Sequence, residues 1–248
     1  MSKWILLTLS VFCLKPFAQQ PVTEIPVLVQ YQQQWQAYIE RPRIQTVLAQ
    51  QVKSTNVHWP SARLYSLEPE ALAELEQTRS QVLEQLRLLI ISAAKEPQLA
   101  MQLQETRQQI ARWKLAKPVA LELNPNLALV RQQHNPKLSK GQYLLVAGKR
   151  VSTVSVFGLG GERFFMHEQQ RPAYAYVQQA TELYGDTVWL FSAQKPVREI
   201  PVAAWNRTET AIATGSVLFI PLTDALVEQD FPELNQQIKT LLVHRVPS

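Results

Sequence analysis

The stretch "VSTVSVFGLGGERFFMHE", residues 151–168, places three glycines directly behind a β-branched run. Such a pattern can form a loop that holds a phosphate. A dinucleotide-binding loop needs glycines at its first, third and sixth positions, and a helix that begins directly after them. The sixth position from Gly158 is Arg163, and the residues "RFFMH" are typical of a strand. The pattern therefore predicts a hairpin turn, because glycines accept the positive φ angles of tight turns.

Other residues that could carry out catalysis or hold a metal are scattered. The histidines are His58, His134, His167 and His244. No two of them have metal-ligand spacing, and no serine lies in a Gly-x-Ser-x-Gly motif, so the sequence predicts no metal site and no catalytic residue. Cleavage of a glycoside uses two carboxyl groups that can be distant in sequence, because folding brings them together. Glu122, Asp186 and Glu199 are therefore kept as candidates for such a pair.

Tryptophans are the better candidates for a binding site. Sugar-binding proteins often stack rings on exposed indoles, which combine an apolar face with a polar edge. Trp59 and Trp205 flank predicted turns and are therefore candidate binding residues. Trp189 alternates with Val188 and Leu190 in a strand that we expect to be buried.

The bulk composition excludes several classes of protein. The chain has 248 residues, of which 46% are hydrophobic, enough for one large domain or two small ones. Its formal net charge of +5 is spread along the sequence without a run of Lys and Arg. We therefore expect no nucleic-acid partner. Seven glycines against sixteen prolines disfavour folds with several phosphate loops.

The N-terminus is typical of an export signal over residues 1–18. Lys3 supplies the positive charge, an apolar run too short to span a bilayer follows, and Ala18 offers a cleavage site. Cleavage would remove Cys13, the only cysteine. Cys13 could alternatively mark a lipoprotein, although the residue before it is bulkier than such sites prefer. We expect a secreted chain without thiols or cofactors, and without a transmembrane span after cleavage.

The first half of the chain predicts a small sheet domain with a helical insert. Strand, strand, helix and strand patterns cover residues 22–31, 35–40, 43–52 and 57–65. A helical hairpin is predicted at 68–115, broken before Pro97 because proline starts helices better than it continues them. Two strands, "PVALELN" and "LALVRQ", and a polar linker at 132–141 complete this half.

The second half repeats the order of strand, strand, helix and strands. The predicted fold class is α+β, with two tandem β-grasp (ubiquitin-like) domains, a helical-hairpin insert in the first and a C-terminal amphipathic helix. The predicted boundaries are a signal peptide at 1–18, a first domain at 19–135, a second domain at 136–223 and a terminal helix segment at 224–248.

The C-terminal helix is predicted over 231–246, with apolar residues on one face. Its sixteen residues would extend about 24 Å, against a hydrocarbon core of about 30 Å. The opposite face is polar, so this helix alone will not span a membrane. It either packs on its own protein, lies on a membrane surface or associates with copies of itself.

Three segments together resemble a known family: "HWPSARLY", "PVAAWNRTETAIATGSVLFI" and "LNQQIKTLLVHRVPS". The chain resembles the GfcC-type periplasmic proteins of group 4 (O-antigen) capsule operons, and the likeness covers nearly its whole length. The resemblance implies two β-grasp domains similar to those of the outer-membrane polysaccharide export channel. It also implies a terminal helix packed on the second domain, a periplasmic location and no known catalytic activity.

One position departs from the family. The resemblance implies a pocket arginine just after the second insert helix, where this chain has Lys117 and Pro118, with Arg112 and Lys114 shortly before. Lysine is a point charge and arginine a planar fork of donors, so two-point recognition of an anion changes here. With this substitution noted, the candidate binding residues are Trp59, Arg112, Lys117 and Trp205.

The leading hypothesis is a non-enzymatic periplasmic factor for capsule or exopolysaccharide assembly and export. It would act by contacts with the export machinery of the envelope, and direct binding of capsule or exopolysaccharide is left open. The alternative is a polysaccharide-processing hydrolase with paired carboxylates. A third hypothesis is a membrane-active or pore-forming subunit that releases its tail helix.

Overall fold

The computed structural model describes residues 27–51, 56–193, 195–227 and 230–247. The predicted signal peptide at 1–18 lies outside these ranges. Two five-stranded mixed sheets and several helices make up the described part, and this confirms the predicted α+β class.

The first sheet has the strand order β2-β1-β5-β3-β4. Its strands are β1 (Val27–Tyr31), β2 (Gln34–Tyr38), β3 (Arg63–Ser66), β4 (Lys117–Pro118) and β5 (Gly141–Val146). β5 runs parallel to β1 and antiparallel to β3, and β1 forms a hairpin with β2. Helix α1 (Ile44–Gln51) follows that hairpin and adds its apolar side to the core of this sheet.

The second sheet has the order β7-β6-β10-β8-β9. Its strands are β6 (Thr153–Gly158), β7 (Gly161–Met166), β8 (Thr187–Phe191), β9 (Arg198–Pro201) and β10 (Val217–Phe219). Here too the last strand lies beside the first and parallel to it. Helix α5 (Ala173–Ala180) follows the hairpin. The two sheets share one topology, consistent with two tandem β-grasp-like units.

Two long helices are inserted between β3 and β4. They are α2 (Pro69–Ser92) and α3 (Pro97–Ala111), and each begins with a proline at the first helical position. The chain then forms the short helices α4 (Pro125–Val130) and α6 (Asp224–Val227), and it ends with α7 (Leu234–His244). The predicted hairpin insert is confirmed, and α7 begins three residues later than predicted.

The largest buried cluster joins the insert, the tail helix and one face of the second sheet. Leu86 of α2, Leu103 of α3 and Ile238 of α7 pack in it with Phe157 and Phe219 of the second sheet. The opposite face of that sheet is covered by α5. The tail helix therefore packs on its own protein, the first of its three predicted alternatives.

A polar clamp fixes the start of the tail helix. The Asn235 side chain accepts from the Leu222 backbone N–H and donates to the Leu222 carbonyl, both at 2.8 Å. These hydrogen bonds attach α7 to the segment that follows β10 in the sequence. Within the described ranges, no helix combines the length and the apolar character needed to cross a lipid bilayer.

The segment "LALVRQ" is helical, which corrects the prediction of a strand. Its residues lie mainly in α4, where the Asn124 side chain accepts hydrogen bonds from the backbone N–H groups of Asn126 and Leu127. Pro125 occupies the first helical position. This cap and proline outweigh the strand-like pattern of Leu and Val. Of the preceding "PVALELN", only Pro118 lies in a strand, the two-residue β4.

The first sheet also takes in a strand that the predicted boundary at 135/136 assigns to the second domain. β5 pairs with β1 and β3, so the passage between the sheets falls between Val146 and Thr153. The predicted linker at 132–141 also contacts this first unit. The Ile44 N–H, at the start of α1, donates to the Pro136 carbonyl at 3.1 Å. The last strand of a β-grasp sheet inserts beside the first, and local patterns do not show such pairing.

The glycine stretch forms the turn between β6 and β7, as predicted. Gly160 and Gly161 have φ angles of +84° and +89°, a region that residues with a Cβ rarely adopt. A Cβ on Gly161 would also lie 2.6 Å from the Gln109 side-chain oxygen. The turn therefore docks closely on α3.

Gly161→Ala is expected to lower the free energy of unfolding by about 1–3 kcal/mol, because it adds backbone strain and displaces Gln109. Gly148→Ala is the matched control, since nothing lies within 4 Å of its added Cβ. Urea unfolding followed by circular dichroism measures both. Equal stability of the two variants would contradict the docked turn.

Candidate functional site

The four predicted binding residues lie in different elements of the structure. Trp59 is half-buried against the core of the first sheet. Trp205, behind β9 of the second sheet, is 76% exposed. Arg112 and Lys117 are exposed, and Lys117 lies in the edge strand β4. None of the four lines any of the three main cavities found in the described part of the chain.

The three predicted carboxylates are also exposed. Glu122 lies 3.7 Å from the His134 imidazole. Glu199 accepts a hydrogen bond from the Thr187 hydroxyl at 2.8 Å. Among these described contacts, none brings two carboxyl groups together.

A different carboxylate lies at the centre of the molecule. The Glu162 side chain is only 3% exposed and forms an ion pair with Arg245 at 2.7 Å, whose side chain is 16% exposed. Gln109 of α3 completes the arrangement. Its amide nitrogen donates to the Glu162 carboxylate at 3.1 Å, and its oxygen accepts from the Glu162 backbone N–H at 2.7 Å. We call Glu162, Arg245, Gln109 and Trp113 the central cluster.

Three distant segments place the central cluster. Glu162 directly follows the glycine turn, Gln109 lies in the last turn of α3, and Arg245 follows α7. The tail is fixed by backbone pairing with the segment behind α3. Val246 donates to the Lys114 carbonyl, and Ala116 donates to the His244 carbonyl, both at 2.8 Å.

Only some of the hydrogen-bond donors of the Arg245 guanidinium have a partner within this cluster. Its guanidinium carbon lies 5.2 Å from the centre of the Trp113 ring, a favourable cation–π distance. Its Nη1 atom and the Trp113 Nε1 atom are buried, and neither has a hydrogen-bond partner among the described residues. Buried donors of this kind favour an acceptor, either water or a bound group.

A second arginine, Arg63, lies close to the central cluster because successive side chains of β3 point to opposite faces of the sheet. Leu64 points into the core of the first sheet, while Arg63 and Tyr65 lie on the opposite face. The Tyr65 hydroxyl donates to the Arg245 carbonyl at 3.4 Å. Burial raises the pKa of Tyr65, and the neighbouring Arg63 guanidinium opposes part of that rise.

Three cavities surround this region. A cavity of about 160 Å³ is lined by Arg63, Glu162, Arg245 and Phe164, among others. A cleft of about 540 Å³ lies between the two sheets and shares Arg63 with it. The largest, about 710 Å³, lies between the start of α3 and the second sheet. The wider cleft also has Glu122 and Lys195 in its lining, and the small cavity is the one lined by the Glu162–Arg245 ion pair.

Neither Glu162 nor Arg245 is among the binding residues predicted from the sequence. The tail segment containing Arg245 carries part of the family resemblance, but that pattern does not reveal its ionic partner. The central guanidinium comes from the C-terminal tail. At the position where the family resemblance implies an arginine, Lys117 is exposed.

Comparison with known proteins agrees with this two-part architecture. A family model described as capsule biosynthesis GfcC, N-terminal, matches residues 19–150, and one described as capsule biosynthesis GfcC C-terminal matches residues 171–247. A protein of Escherichia coli (strain K12) named "Uncharacterized protein YjbG" is 28% identical over 206 residues, which cover 81% of each chain. The chain therefore belongs to the GfcC family of capsule biosynthesis proteins.

Proposed function

We propose that this protein is a non-enzymatic factor for capsule or exopolysaccharide assembly and export. It works in the periplasm, through contacts with the export machinery of the envelope. The observation that carries the proposal is the match of capsule biosynthesis models to both halves of the chain. Family membership supports a role in capsule assembly, and the export step and the location are parts of the proposal.

The central cluster supports a non-catalytic role. A glycosidase needs two carboxyl groups about 5–9.5 Å apart, one of them a proton donor or nucleophile that reaches the substrate. The Glu162 carboxylate instead contacts a guanidinium and an amide, and its side chain is almost fully buried. Such a carboxylate holds the tail and the insert together.

Exposed aromatic residues support the role of protein contacts. Trp205 lies in a surface loop behind β9, and tryptophan is enriched at protein interfaces. We propose Trp205 as a contact residue for the export machinery, with Arg112 and Lys117 as exposed charges on a separate part of the surface.

Incubation of the purified protein with the polysaccharide of its own strain tests the non-enzymatic part. We expect no new reducing ends and an unchanged chain-length distribution by size-exclusion chromatography. A time-dependent release of reducing ends would instead establish the hydrolase alternative.

A pull-down from cross-linked periplasm tests the contacts. Wild-type protein is expected to retain components of the polysaccharide export machinery, and Trp205→Ala is expected to retain less of them. Trp35→Ala is the matched control, because Trp35 is also exposed but lies in β2 of the other sheet. Equal retention by all three proteins would exclude Trp205 as a contact residue.

A further inference from the structure

The small cavity between the two sheets has the composition of a site for an anion. Two guanidinium groups, Arg63 and Arg245, and one carboxylate, Glu162, are its ionisable lining groups. Glu162 is already paired with Arg245. Within the described ranges, no carboxylate forms an ion pair with Arg63. The lining therefore carries one positive charge that is not neutralised.

The placement of the two guanidinium groups supports an anion as the occupant. Arg245 lines the cavity, and only its Nη2 atom is paired with Glu162. Arg63 lies on the same face of β3 as Tyr65, whose hydroxyl contacts the Arg245 carbonyl, so both guanidinium groups border one space. A carboxylate between them would accept from both, and charge-assisted hydrogen bonds of this kind are among the stronger polar contacts.

The rest of the lining suits a small ring that carries hydroxyl groups. The hydroxyl-bearing residues Thr153, Ser155 and Ser216 line the wall. Phe164, 65% exposed, and Val151 stand at the rim. At about 160 Å³ the cavity is smaller than the roughly 300–1,000 Å³ typical of drug-sized ligands. That size restricts the occupant to one small ring with its acid group.

We propose that this cavity binds one acidic sugar residue, a uronate, with the carboxylate held between Arg63 and Arg245 and the ring against Phe164. The proposal rests on the proposed role in polysaccharide export and gives it a substrate class. The wider cleft that shares Arg63 offers a path for the neighbouring sugar residues of a chain.

Titration of the purified protein with methyl glucuronide and methyl glucoside, followed by NMR, tests the proposal. The two probes differ only in the carboxylate. We expect the glucuronide to bind at least about tenfold more tightly, since an ionic hydrogen bond to arginine is worth about that factor. Binding that is equal for the two glycosides, or no saturable binding of the glucuronide, would overturn the proposal.

Variants of Arg63 locate the site. Arg63→Ala is expected to weaken glucuronide binding about tenfold. Arg63→Lys should give a smaller loss, because lysine keeps the charge without the fork of donors. Arg198→Ala, which removes an exposed arginine from β9 on the far edge of the second sheet, is the matched control and should bind as wild type does. Unchanged binding in Arg63→Ala would reject the site.

Two further measurements separate sugar binding at this site from unfolding and from the binding of any carboxylate. Phe164→Ala changes a residue that is 65% exposed, so it is expected to weaken glucuronide binding with little effect on stability. Unchanged binding would contradict the placement of the ring against Phe164. Acetate should bind more weakly than the glucuronide. Acetate of equal affinity would overturn the sugar assignment in favour of carboxylates in general, including peptide termini. Failure of all these tests leaves the export role intact, since that role is measured separately in cells.

Discussion

Ile238→Asp is expected to lower the free energy of unfolding by at least about 4 kcal/mol. Ile238 is fully buried in the cluster that joins α7 with α2 and the second sheet. The change removes about 2–5 kcal/mol of apolar packing, and it places a carboxylate inside an apolar cluster. A shift of the urea midpoint, followed by circular dichroism, measures the loss.

Gln236→Asp is the control for this prediction. Gln236 is exposed on the same helix, so the same new charge meets water there. Its effect on stability is expected to be within about 0.5 kcal/mol. If Ile238→Asp were as stable as this control, the tail helix would not be part of the folded core.

Glu162→Ala is expected to lower the free energy of unfolding by about 3–5 kcal/mol. It leaves the largely buried Arg245 guanidinium without its ionic partner and removes the acceptor of the Gln109 amide. An unpaired buried charge costs far more than the net gain from the pair itself. Chemical unfolding at neutral pH is the measurement, with Glu74→Ala as the control because Glu74 is exposed on α2.

A double-mutant cycle identifies the cause of this loss. Glu162→Ala combined with Arg245→Ala should be less destabilised than the sum of the two single changes, because no unpaired charge is left. Additive losses would mean that the two side chains do not interact, and the ion pair would lose its proposed role in holding the tail.

The features of the fold that could be predicted from the sequence depend on residues that are neighbours in the chain. The glycine turn depends on two adjacent residues, Gly160 and Gly161, whose φ angles only glycine adopts readily. The insert helices depend on Pro69 and Pro97 at their starts. The β-grasp order could be predicted because each half repeats the same series of short patterns. These features need only neighbouring residues.

Non-local pairing explains what the sequence could not predict. The sequence of the strand from Gly141 to Val146 is equally compatible with the first strand of the second sheet. Only its pairing with β1 assigns it to the first sheet. The central cluster shows the same limit. Glu162 and Arg245 lie 83 positions apart, and their contact requires the turn, α3 and the tail to meet.

The most direct test of the proposed role is the amount of polysaccharide on the surface of cells that lack this protein. Surface polysaccharide is expected to fall in the deletion strain and to return when the wild-type gene is supplied in trans. Unchanged surface polysaccharide in the deletion strain would contradict a role in capsule or exopolysaccharide export.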